Sequence, residues 1–138
     1  MIRRFALACA FTVVALPAAA QSLDGTWLLL DRPDDPLAAR VTAANGSLPT
    51  AELEQQRRIA FDAGTATVIA GESVITLTIA PSRTEWGFDA PVTAIEGSAA
   101  PITFLRVEIG DGGIGSLTSF KDQTPLEQFA LVRVRPAG

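Results

Sequence analysis

The sequence predicts an all-β chain: an antiparallel up-and-down barrel of about eight or nine strands, with a short helical insertion between the first two. Two observations carry that expectation. From Arg58 onward, short alternating apolar runs recur between Gly, Pro and Asp turns, at the intervals of about 8–12 residues expected of an all-β barrel or sandwich. Between the first strand and that series, residues 34–58 lose the alternation and carry helix-start signals instead.

The chain proper is preceded by a segment that reads as a cleaved signal peptide, residues 1–20. Arg3 and Arg4 form a positive start, Phe5 to Leu16 an apolar run, and Pro17 breaks it before Ala18-Ala19-Ala20. The run is shorter than the about 20 residues a spanning helix needs. Cys9 lies inside the run with too little of it beforehand to serve as a lipid-attachment residue. Cleavage after Ala20 leaves residues 21–138, a single-domain length, without any cysteine. Such a chain relies on its core alone, and the leader style points to the periplasm or to secretion. The whole sequence has 15 acidic against 11 basic residues, a net charge of −4, and losing Arg3 and Arg4 makes it more acidic. That balance repels phosphate backbones and anionic lipid, so nucleic acid is excluded as a partner.

Taken in order, Asp24 to Asp31 reads as the first strand, with Thr26, Leu28 and Leu30 on one face and Trp27, Leu29 and Asp31 on the other. Arg32-Pro33-Asp34-Asp35-Pro36 stops it. Asp35 can cap a helix beginning at Pro36, where the missing N–H costs nothing, although Arg40-Val41-Thr42 also suits an extended chain. Asn45-Gly46 ends that excursion. A second helix from Thr50 would place Glu52 and Glu54 in its first turn and Arg57 and Arg58 in its last, matching the helix dipole, with Leu48 and Leu53 docking it.

Ile59–Phe61 and Thr65–Ile69 flank Asp62-Ala63-Gly64, a hairpin signal. Val74–Ile79 alternates most cleanly, with Ile75, Leu77 and Ile79 opposite threonines, and Pro81 ends it. Thr84–Phe88, Val92–Ile95 and Ile102–Ile109 follow as strands. The glycine-rich Gly110–Gly113 turn leads to Gly115–Lys121, and Gln128–Arg135 is last. No repeat or domain boundary interrupts the series.

Gly25-Thr26-Trp27 on the first strand, together with Leu131-Val132-Arg133 on the last, resembles the calycin pattern of lipocalin-like and fatty-acid-binding-like barrels. The resemblance implies that Gly25, Trp27 and Arg133 close one end of the barrel, with Trp27 as its floor and Arg133 stacked across the indole, Arg135 being the alternative capper. A guanidinium over an indole face is favourable, and its donors can satisfy nearby carbonyls. The insertion after the first strand looks like the helical lid of the fatty-acid-binding proteins. Small exported metalloprotease inhibitors of bacteria begin similarly, but they usually carry a disulfide that this chain cannot form. The resemblance bears on fold more than on activity.

Catalytic chemistry finds little foothold. The chain has no histidine, which removes the usual general base, zinc ligand and triad member. Asp34-Asp35 and Asp111 sit beside Pro or Gly as turn residues do, without alternating calcium ligands. Gly110–Gly115 precedes a strand, not the helix a phosphate-cradling loop opens. Glu85 and Asp89 flank Trp86 as carboxylates on a solvated strand face would. The chain is thus expected not to be an enzyme and to hold neither metal nor cofactor. The remaining candidates are apolar: Trp86, Phe88, Phe104, Phe120 and Phe129 would line an internal pocket for a small apolar ligand, and Arg106 would meet its carboxylate. The same aromatics would equally fill a solid core. The expected function is a non-enzymatic periplasmic lipocalin-like binding protein, with a protein-binding module such as a protease inhibitor, or an envelope structural protein, as the alternative.

Overall fold

The computed structural model describes residues 22–98, 100–110 and 113–137. The signal-peptide reading of residues 1–20, with Cys9, and the Asp111 turn lie outside them. Among the described residues, ten strands and two short helices follow one another. They are β1 (Gly25–Leu30), α1 (Pro36–Ala43), β2 (Ser47–Leu48), α2 (Thr50–Leu53), β3 (Arg58–Asp62), β4 (Thr65–Ala70), β5 (Ser73–Ile79), β6 (Ser82–Arg83), β7 (Gly87–Glu96), β8 (Phe104–Ile109), β9 (Ile114–Lys121) and β10 (Thr124–Pro136).

Eight strands form a closed antiparallel meander in the order β1-β3-β4-β5-β7-β8-β9-β10, and β10 returns to β1. The closing ladder runs from Thr26 opposite Val134 to Leu30 opposite Ala130, with Trp27 opposite Arg133. Closure removes the free edges that an open sheet would expose. The two extra strands are short: β2 pairs in parallel with Arg135 and Pro136, and β6 pairs with Phe88 and Asp89 of β7.

Strand β7 joins what the sequence suggested as two strands, Thr84–Phe88 and Val92–Ile95. Pro91 is tolerated inside it because the neighbouring chain is itself interrupted there. The β5 ladder ends at Ile79 opposite Val92, and the β6 ladder resumes at Ser82 opposite Asp89. Pro81 and Pro91 thus share a gap where no proline N–H is missed. Thr84–Trp86 forms the turn before β7, closed by Thr84 N–H donating to the Gly87 carbonyl at 2.8 Å.

Side chains alternate, and the inward set forms one apolar cluster. Trp27, Leu29, Ile59, Phe61, Ala66, Leu77, Ile79, Phe88, Ala90, Leu105, Val107, Leu117 and Leu131 are each at most 9% exposed, and every barrel strand contributes.

A second cluster lies outside the wall. Leu28 and Leu30 of β1 and Ala130, Val132 and Val134 of β10 meet Ala38 and Val41 of α1, Leu48 of β2 and Leu53 of α2. The insertion therefore covers the outer face of the β1–β10 seam, and the lid expected over a barrel mouth is not formed. The cause is local: β1 and β10 are apolar on both faces, so their outer rows need cover as much as their inner ones. Helix α1 starts as expected, with the Asp35 carboxylate accepting from Leu37 N–H at 2.8 Å and Pro36 at its head. Helix α2 is a single turn that stops at Leu53, so Arg57 and Arg58 lie beyond it and Arg58 opens β3. No helix among the described residues is long and apolar enough to cross a membrane.

Candidate functional site

The end of the barrel where β1 begins is plugged. Trp27 is 1% exposed, and its indole N–H donates to the Leu23 carbonyl at 3.1 Å. The Arg133 guanidinium lies over the ring, 4.3 Å from its centroid. Its two terminal nitrogens donate to the carbonyls of Asp24, at 2.7 Å, and Ser22. The chain entering β1 is thus tied by backbone carbonyls to the last strand. Burial holds the Arg133 guanidinium below its ordinary value, and the nearby Asp24 charge partly offsets that. Gly25 is required here: its φ is +125°, and a Cβ added to it would stand 2.8 Å from an Arg133 nitrogen. Gly25, Trp27 and Arg133 therefore form one closing unit.

The six residues suggested as pocket lining do not converge. Phe88 and Phe129 face inward, where Phe88 belongs to the buried cluster and Phe129 packs against it. Phe104, Arg106 and Phe120 point outward instead. Phe104 stands opposite Phe120 in the β8–β9 ladder, with ring centroids 5.8 Å apart and an edge-on interplanar angle of 68°. The Arg106 guanidinium lies 5.7 Å from each ring and donates to the Asp89 carboxylate at 3.1 Å. That ion pair raises the Arg106 pKa. Arg106 is thus a neutralised surface cation over two rings and does not reach into a lumen.

Trp86 is also misplaced by the sequence expectation, since it is 66% exposed at the tip of the β6–β7 turn. A period-two pattern cannot tell which face turns inward, and a turn residue belongs to neither. Among the described residues, no group of three or more His, Cys, Asp or Glu comes together.

Outside the wall, a groove of about 530 Å³ runs between the last turn of α1 and the end of β10. It is bounded by the buried Val41, Val132 and Val134, by the exposed Pro136, and by the polar residues Thr26, Thr42 and Asn45. Arg133 and Arg135 line it as well, and Arg135 donates to the Asn45 carbonyl at 2.6 Å. This groove is not legible in the sequence, because its parts come from strands and a helix separated by some ninety residues.

Comparison of the chain with family models, with curated proteins and with solved structures returns no match. The ladder alone thus defines the fold: a closed eight-stranded antiparallel barrel, compatible with the calycin form.

Proposed function

We propose that this chain is a non-enzymatic, lipocalin-like binding protein of the bacterial envelope that engages a protein partner through its outer surface. The observation that carries this reading is the filled interior. An apolar cluster drawn from all eight barrel strands occupies the lumen, and Trp27 with Arg133 closes its end. A carrier that encloses its ligand needs a cavity of about 300–1,000 Å³. The outer surface, by contrast, offers an exposed tryptophan and a groove with two arginines. Exposed Trp and Arg are the residue types that anchor protein interfaces. The export leader read in residues 1–20 supports an envelope location.

One observation favours a second reading, a small apolar ligand seated shallowly at the unplugged end. Val68, Ile75, Ile95, Ile102 and Phe129 are only partly buried against the interior cluster. Ser119, 6% exposed, has a hydroxyl with no side-chain hydrogen bond among the described residues.

Native mass spectrometry and backbone amide shifts separate the two. The outer-surface reading expects a bare protein mass and no shifts at Val68, Ile75, Ile95 or Phe129 on adding apolar compounds. A retained small-molecule mass, or shifts at those residues, would favour the ligand carrier.

A further inference from the structure

We infer that the groove between the last turn of α1 and the end of β10 receives the carboxy-terminal end of a peptide, with its α-carboxylate at Arg135 beside Arg133. The inference rests on the outer-surface reading above and names the chemistry of its partner.

Charge is the first argument. Arg32, Arg40, Arg57 and Arg106 each meet a carboxylate, those of Asp34, Glu52, Asp31 and Asp89. Arg133 and Arg135 line one groove, and among the described residues neither forms an ion pair, with the Asp24 charge near Arg133 alone. Their recorded donors go to neutral carbonyls, those of Ser22, Asp24 and Asn45. In a chain of net charge −4, the Arg135 guanidinium beside Asn45 and Gly46 makes a local positive site that complements an anion. Arg133 spends both terminal nitrogens on the plug, so it contributes field. Arg135 commits one terminal nitrogen only, and its remaining donors fit a carboxylate.

The lining of the groove also suits a peptide. Pro136, exposed at the end of β10, offers apolar surface for an aliphatic last side chain. Thr42 and Asn45, both exposed, also line the groove, and their side chains form no hydrogen bond to another described residue. A hydrocarbon amphiphile would leave those polar groups facing its chain, whereas a peptide backbone can bond them. Capture of a terminal carboxylate is an established mode of peptide recognition.

The test titrates the purified chain with N-acetyl-Gly-Ala-Leu bearing a free carboxylate, with its carboxamide, with decanoate and with inorganic phosphate. Backbone amide shifts and calorimetry are the readouts. The expected result is shifts at Asn45, Gly46 and Gly113 with the free acid, and about tenfold weaker binding of the carboxamide, as loss of a charge-assisted contact would give. Arg135→Gln should weaken the acid by a similar factor and Arg135→Lys by less, with Arg32→Gln without effect and circular dichroism unchanged in all three. Equal binding of acid and carboxamide would overturn the inference, as would the absence of shifts in the groove at millimolar peptide. Binding of decanoate or phosphate at the groove without the peptide would overturn it too, in favour of an amphiphile or free-anion site. Those outcomes leave the filled lumen untouched. A retained lumenal ligand would instead sink the outer-surface reading without moving the groove shifts.

Discussion

At the scale of single residues, the plug concentrates the most interaction in the fewest atoms. Trp27→Ala removes a buried indole that packs, donates a hydrogen bond and supports a guanidinium, so a loss of about 3–5 kcal/mol in denaturant unfolding is expected. Arg133→Ala should also destabilise, and the double variant should lose less than the sum of the two. Strict additivity in that cycle would contradict the stacking seen at 4.3 Å. Gly25→Ala tests the same unit through the backbone. The positive φ and the 2.8 Å approach to Arg133 should together cost about 1–3 kcal/mol. Trp86→Ala should leave unfolding within about 0.5 kcal/mol, because the exposed ring is not part of the core. These two tryptophans show what residue type conveys. The stacked pair was legible because Gly25-Thr26-Trp27 and a final-strand Arg resemble the calycin pattern, which implies that stacking. Nothing near Trp86 announces that its chain has turned away from the barrel.

At the scale of elements, the insertion shows how a correct local reading can take a wrong place. Asp35 and Pro36 start α1 where the capping signals put it. The destination of the helix is set elsewhere, by the outward row Leu28, Leu30, Ala130, Val132 and Val134. The uninterrupted apolar runs Trp27–Leu30 and Phe129–Val132 did carry that signal, since a strand apolar at consecutive positions is covered on both faces. Val41→Asp would place a carboxylate in this outer cluster, and a loss of at least about 3 kcal/mol is expected by thermal or chemical unfolding. The two helices are also joined by Arg40, which donates to both Glu52 oxygens at 2.7 and 2.8 Å. That hydrogen bond holds the Glu52 carboxyl below its ordinary value. A depressed carboxylate stabilises the folded state above its unfolded pKa, and the contribution fades as pH falls through the lowered folded value. The pair is exposed, so the effect is small. Glu52→Gln should lower the thermal midpoint slightly at neutral pH, and the difference from wild type should disappear in acid. A difference that persists there would assign the loss to packing.

At the scale of the whole molecule, ring closure makes the β1–β10 seam the centre of cooperativity. It is flanked by both apolar clusters, whereas β6 pairs with β7 at two positions only. Amide exchange should therefore be slowest at Leu28, Leu29, Leu131 and Val132, opening only with global unfolding, and fast at Ser82 and Arg83. Early exchange across the seam would show that the barrel opens there before it unfolds.

The sequence by itself determined most of the barrel's strands and turns and how α1 begins, and its resemblance to the calycin pattern paired Trp27 with Arg133. Those features depend on period, turn chemistry and residue type within a few positions, or on a motif whose two halves identify each other. Only the tertiary structure decided which side of each strand faces inward, because alternation has the same period whichever face is buried. That choice sent Phe104, Arg106 and Phe120 to the surface while Phe88 and Phe129 went inside. It also laid the insertion against the seam, and brought Arg133 and Arg135 to one groove with α1. Closing the ring fixes every strand's facing at once, a constraint that no single stretch of chain contains.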